Sequence, residues 1–183
     1  ETFYDDMVAF HEATSNRRFD VCRFDQLPRY SNLVFEGSQG ILLDMDHGAF
    51  PHVTYANTTS KNAWKYAGKR STQVYYITRC YQTRHGNGPF EQREIPLTNN
   101  HEEINALNTW QGAFKTGEMD YEMLKHAINI DLSYHPGDVP CNLVVTCVDQ
   151  RPDFEFDFDF MKGLFKNVYR NDSPHSGSTA RVV

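Results

Sequence analysis

Apolar residues in this chain come in short runs separated by polar, glycine-rich segments. Residues 1–29 form a polar lead-in of mostly helical character that ends near Pro28. Ser31–Phe35 is a short apolar run of strand type, and Glu36-Gly37-Ser38-Gln39-Gly40 follows it directly. Gln73–Tyr81, rich in β-branched and aromatic residues, predicts a second strand that meets a loop at Gly86-Asn87-Gly88-Pro89. Asp120–Leu132 predicts a helix, with an acidic start and Leu124, Ala127, Ile128 and Asp131-Leu132 at turn-like spacing. Asn142–Val148 is a third, nearly continuous apolar strand of the kind buried on both faces of a parallel sheet. Strands alternating with helices predict an α/β fold, a mixed, mostly parallel sheet flanked by helices. There is no internal repeat.

Asp153–Phe160 alternates acid and aromatic with period two. As a strand it would put every Phe on one face and every carboxylate on a solvated face, which accounts for the acids without a metal. A break at Gly163 and a short amphipathic segment to Arg170 follow.

The 183 residues suffice for one domain of ordinary size, and 13 Phe and 10 Tyr give it a core, which excludes general disorder. With 18 basic against 24 acidic residues the net charge is −6, which does not suit a protein that coats nucleic acid or anionic membrane. Tyr75, Tyr76, Arg79, Tyr81 and Arg84 could stack bases between cations, but strand alternation would bury about half of them, so no nucleic-acid partner is assigned. No stretch is long and apolar enough to span a bilayer, and no apolar signal segment opens the sequence. The first residue is Glu1 rather than Met, so the chain is expected to be an internal piece of a longer protein. Cys22, Cys80, Cys141 and Cys147 show no C-x-x-C spacing; buried reduced thiols in a cytoplasmic protein are expected, not a zinc site. Asp44, Asp46 and His47 have the residue types of a metal cluster, yet a loop held by side-chain to backbone bonds is the commoner arrangement, so no metal ligand is assigned.

A glycine-rich turn beyond a strand is where α/β proteins bind ligands. Here Gln39 is an amide that both donates and accepts. Hydroxyls and an amide then crowd Thr54-Tyr55-Ala56-Asn57-Thr58-Thr59, as an anionic, hydrogen-bonding ligand such as a phosphate requires.

The whole run from Phe35 to Thr59, through Glu36-Gly-Ser-Gln-Gly-Ile-Leu-Leu-Asp-Met-Asp-His-Gly48, resembles the central signature of the adenylosuccinate synthetase family. Thr83-Arg84-His85-Gly86-Asn87-Gly88-Pro89-Phe90 resembles that family's second signature at about the expected distance. The resemblance weakens through Lys115–Asp120 and Val145–Asp149. It implies a P-loop-NTPase-like synthetase fold in which residues 1–183 are a partial domain, without the N-terminal phosphate-loop portion. It also implies a ligase that joins L-aspartate to the 6-position of a purine monophosphate (IMP), driven by GTP.

On that resemblance Gln39 would donate its amide to charge building on the purine 6-oxygen, a catalytic role, and Thr54 would bond the 5′-phosphate. Leu43 would pack against the ligand and offer backbone contacts, and His85 would lie near the ribose. Gly37, Arg84 and Gly86 complete the implied substrate-binding set. Thr146, Asp149 and Gly177 would contact the base of the triphosphate. Family members work as dimers, so a homodimer is implied.

Two departures stand out. Asn108–Lys115, where the family has an arginine-rich stretch for aspartate, keeps one cation, so aspartate is either not held in the family's manner or falls to residues such as Arg79 and Arg84. Thr146-Cys147-Val148-Asp149 keeps the acid but not the lysine of the family's guanine-binding element, which makes ATP a candidate beside GTP. Both point toward the phage-type relatives that convert (d)GMP to 2-aminoadenylosuccinate; a non-catalytic nucleotide-binding relative is the other alternative. No phosphate loop occurs, since Gly68-Lys69-Arg70-Ser71 has the wrong spacing. The Mg²⁺ ligands are therefore expected upstream, and the chain alone is expected not to turn over.

Overall fold

The computed structural model describes residues 2–15, 22–91, 95–98, 112, 114–161, 163–175 and 177–182. They fall into two units, Glu1–Glu36 and Gly37–Val183. The first unit holds α1 (Thr2–Ser15) and a 3-10 turn at Phe24–Arg29, so the described part of the lead-in is mostly helical, while residues 16–21 of it lie outside the described residues. The Arg23 N–H donates to Gln26 Oε1 at 2.9 Å and fixes the start of that turn. Ser31–Phe35 is not a strand. Val34 is 93% exposed, and an apolar run becomes a strand only against a ladder partner, which the described part of this unit lacks.

The second unit is built on a sheet of β1 (Val74–Arg79), β4 (Cys141–Thr146), β5 (Asn167–Asn171) and β6 (Thr179–Arg181), in that order. The first three are parallel and β6 runs antiparallel to β5, the mixed, mostly parallel sheet that the pattern predicts. β4 is central and buries Cys141, Asn142, Leu143 and Val145, which explains its continuous apolar run. β1 is an edge strand. It buries Tyr76 while Tyr75 and Ile77 stay exposed, so burial on both faces does not extend to it.

β1 is shorter than the predicted run. The chain turns at Cys80 and Tyr81, and β2 (Gln82–His85) pairs antiparallel with β3 (Phe114–Gly117) as a separate ribbon. Gln82-Thr-Arg-His85 carries no apolar alternation that would announce a strand.

The predicted helix is present as α3 (Tyr121–Leu132), following α2 (Lys61–Ala67) in the chain. Asp120 caps it by accepting from the Met123 N–H at 2.8 Å. β4 stops before the predicted Val148 because Cys147 adopts a left-handed conformation (φ 59°) that opens a 3-10 turn at Val148–Gln150. Tyr76, Ile128, Leu143, Val145, Val148 and Val168 form the core.

Asp153–Phe160 is not a strand either: it leaves a turn at Asp153, continues without regular secondary structure and then forms α4 (Phe158–Met161). Phe154, Phe156 and Phe160 still pack on the core while Asp153, Glu155, Asp157 and Asp159 face solvent. The two-faced pattern survives because a segment can cover a core with its aromatics without pairing in a sheet. The segment to Arg170 contains β5.

At the start of the parallel strands, fully buried Asn142 accepts from Asn167 Nδ2 at 2.6 Å and donates to the Val74 carbonyl at 3.2 Å. All four cysteines are free; Cys80 and Cys141 are buried, Cys22 and Cys147 half-buried. Burial pushes the Cys80 thiol up to about 12.

Candidate functional site

The segment after Gly37 is shaped by one buried carboxylate. Ile41–Leu43 forms a 3-10 turn packed against α3, and Asp44 follows it, fully buried. Asp44 accepts from the Asp46 N–H at 2.8 Å, the Thr58 N–H at 2.6 Å and the Asn57 amide at 3.4 Å. Burial raises the pKa of this acid, but the donors outweigh burial and hold it below the ordinary carboxylate range. Asp46 is engaged by Asn57 at 2.7 Å and Lys61 at 3.4 Å, and His47 by the Tyr134 hydroxyl. Side-chain to backbone bonds from Asp46 and Thr58 hold this loop at Asp44, and side-chain bonds tie Asp46 and His47 to residues as distant as Tyr134. Gly48 must be glycine: an added Cβ would lie 2.6 Å from Val53 Cγ1 and 2.7 Å from the Leu42 carbonyl oxygen.

Gln39 does not stand at a strand tip. It follows a stretch without regular secondary structure and is exposed. Its Oε1 accepts from the Ser38 hydroxyl at 2.8 Å, and its NH₂ remains a donor. Thr54 is half-buried, and its N–H donates to the Leu43 carbonyl at 2.8 Å, so these two residues are adjacent. Gly37 is exposed, with open space where a Cβ would be.

Arg84, His85 and Gly86 close β2. The Arg84 guanidinium donates to the Asn87 carbonyl from Nε at 2.9 Å and Nη2 at 2.7 Å, and to the His52 carbonyl at 3.2 Å. The exposed His85 ring leans on Phe114 with centroids 4.8 Å apart, and Lys115 donates to the Gly86 carbonyl at 3.0 Å. The Arg79 guanidinium lies over the rings of Tyr81 and Phe114. Of the aromatics that could stack bases, Tyr76 and Tyr81 are buried.

Thr146, Asp149 and Gly177 lie elsewhere, along the carboxyl end of the parallel sheet. Thr146 ends β4 beside Arg79, and its hydroxyl donates to the Thr78 carbonyl at 3.1 Å. Asp149 accepts from the Gln150 amide at 2.8 Å. Gly177 (φ +85°) turns the chain into β6, whose Thr179 pairs with the last residue of β5. Among the described residues no hydrogen bond or ion pair joins this trio to Gln39, Thr54 or Arg84, and none joins Gln39 to Thr54 or Arg84.

The described residues hold no group of three His, Cys, Asp or Glu side chains arranged to bind a metal ion. Asp44, Asp46 and His47 are spent on the partners above, so these residues do not fit Mg²⁺. Sequence reasoning missed Ser38 as the residue that orients Gln39. It placed Asp131 on the stripe of α3, three residues after Ile128, but gave that carboxylate no role. The one visible signal for Asp131 was an acid on a face that should be oily.

The family model for adenylosuccinate synthetase matches residues 1–135. The chain belongs to the adenylosuccinate synthetase family. The curated adenylosuccinate synthetase of Polaromonas naphthalenivorans is 40% identical over 95 residues, 49% of this chain and 21% of that protein. That of Xylella fastidiosa strain M12 is 38% identical over 95 residues, 49% of this chain and 22% of the relative. The matched stretch thus spans about a fifth of these relatives.

Among solved structures, the cyanophage S-2L succinoaminodeoxyadenylate synthetase (PurZ), bound to dGMP and dATP as an energy donor, has a TM-score of 0.61. It is 17% identical, with 94% of this chain and 55% of that one covered. A fully ligated adenylosuccinate synthetase from Plasmodium falciparum has a TM-score of 0.50 at 23% identity, covering 79% and 34%. The fold is therefore the adenylosuccinate synthetase and PurZ fold. Gln39, Leu43, Thr54 and Arg84–Gly86 lie inside the residues matched by the adenylosuccinate synthetase model; Thr146, Asp149 and Gly177 lie beyond them. Residues 108–111 and 113 of the stretch that departs from the family's arginine-rich pattern lie outside the described residues.

Proposed function

We propose that the protein carrying this chain joins L-aspartate to the 6-position of a purine nucleoside monophosphate, with hydrolysis of a nucleoside triphosphate. The observation that supports it most is the family match over residues 1–135, together with the contact between its two signature runs through Arg84 and His52. In this reading the purine 6-oxygen takes the γ-phosphoryl group, and the aspartate amine then displaces inorganic phosphate. Gln39 donates to the oxygen as charge builds on it, because Ser38 has already fixed the other end of the amide. Thr54 offers its hydroxyl to the 5′-phosphate, with Gly37, Leu43, His85 and Gly86 around the nucleotide. Thr146, Asp149 and Gly177 meet the triphosphate's base at the carboxyl end of the sheet, where such folds place ligands.

The triphosphate is GTP in the first reading and IMP the acceptor. A second reading, (d)GMP as acceptor with ATP as donor, is supported by Cys147, which stands where the family's guanine-binding element carries lysine. It draws further support from the dGMP and dATP bound to the cyanophage protein that shares the fold. Assays of the full-length protein with aspartate, crossing IMP and dGMP with GTP and ATP, test both readings by product chromatography and phosphate release. A succinyl-nucleotide product supports the proposal and identifies the pair; phosphate release without such a product, or no turnover with any pair, overturns it.

A further inference from the structure

We infer that Arg84 is a positioning residue that locks the two signature segments together; the inference rests on the ligase reading above. Among the described residues its guanidinium makes three hydrogen bonds, all to main-chain carbonyl oxygens: two to Asn87 in the glycine loop and one to His52, two residues before Thr54. The fork geometry of arginine lets one rigid plane reach both carbonyls, which a lysine does not do. Gly88 is shaped around this tie. Its φ is +120°, and an added Cβ would lie 2.2 Å from Arg84 Nη2 and 2.8 Å from His52 Cβ. Neither carbonyl carries charge for the cation to neutralise, and among the described residues Arg84 forms no ion pair. Arg84 thus sets the distance between the Thr54 hydroxyl and the loop around His85 and Gly86, rather than gripping the substrate itself.

Arg84→Met in the full-length protein tests this, read by hydrogen exchange of peptides covering His52–Thr54 and Gln82–Phe90 and by steady-state kinetics. Both peptides should exchange roughly tenfold faster while β1 and β4 keep their protection. KM for the monophosphate should rise about tenfold, with KM for the triphosphate within about twofold of wild type. A raised KM with both peptides unchanged would make Arg84 a direct ligand contact and overturn the inference. Faster exchange in the glycine-loop peptide alone would overturn it too, as would no change in either. If Arg84→Met does not fold, Arg84→Lys is read by the same criteria, since it keeps the charge and loses the fork. If the wild-type protein shows no ligase activity, the functional reading fails by itself, and the exchange of the two peptides alone decides the tie.

Discussion

Asp131 on α3 accepts two hydrogen bonds from Ser60, from its backbone N–H at 2.6 Å and its hydroxyl at 2.9 Å. The carboxylate is almost completely buried and also accepts from the Tyr76 hydroxyl at 2.8 Å, with His135 Nε2 at 3.1 Å. Burial and then the Asp131 charge push the Tyr76 hydroxyl far above its ordinary range, so it stays a donor. One acid therefore joins α3, β1 and the start of α2, directly after the signature run.

Asp131→Ala should destabilise the protein by about 3 kcal/mol, because several buried donors lose their acceptor at once. For a chain of this size that lowers Tm by about 10 °C. Thermal unfolding followed by circular dichroism checks it; a drop of only about 1 °C would show that the donors find other partners.

The Asp44 carboxyl gives a pH dependence of definite sign. Its pKa in the folded protein lies below the ordinary value, so its contribution is fully present above about pH 4, the ordinary Asp range, and fades as pH falls through the folded value. The stability difference between wild type and Asp44→Asn should be constant from neutral pH down to about pH 5 and shrink below about pH 4. Urea titrations across that range measure it. A difference that grows on acidification would reverse the sign.

Gln39→Ala should lower kcat of the full-length enzyme by roughly a hundredfold and leave KM for the monophosphate almost unchanged, since the lost bond forms mainly in the transition state. Steady-state phosphate release reads this. Ser38→Ala should give a smaller loss in the same direction, because the amide keeps its NH₂ and loses the bond that orients it.

Thiol reactivity should follow burial. Cys80 has its thiol pushed up to about 12 and donates it to the Cys147 carbonyl at 3.1 Å, and burial raises the Cys141 thiol as well. At pH 8, iodoacetamide should modify Cys22 at least about tenfold faster than either buried thiol. Peptide mass spectrometry after timed labelling decides the order.

The elements legible in the sequence were those whose pattern reports burial directly. β4 sits at the centre of the sheet, so its apolar run and its position agree, and α3 has both a periodic stripe and an acidic cap. Ser31–Phe35 and Asp153–Phe160 had equally good local patterns but lack a ladder partner, which no local pattern encodes. The β2–β3 ribbon escaped notice because its residues are polar and its register comes from tertiary pairing. For the candidate site, the motifs located the segments. The hydrogen bonds that aim them are not encoded in the motifs: Ser38 turns to its neighbour Gln39, Asp44 reaches Asn57 and Thr58, and Arg84 reaches back to His52.

The buried Asn142–Asn167 amide pair bears on how the sheet tolerates change. Sliding β5 one residue along β4 would swing Asn167 to the opposite face and leave the Asn142 oxygen dry and unanswered, a penalty of about 1–3 kcal/mol. Strand alignment is thereby checked at the end where the parallel strands begin. Loops at the opposite rim, where nucleotide is proposed to bind, are free to diverge in length and sequence without the strands losing their pairing.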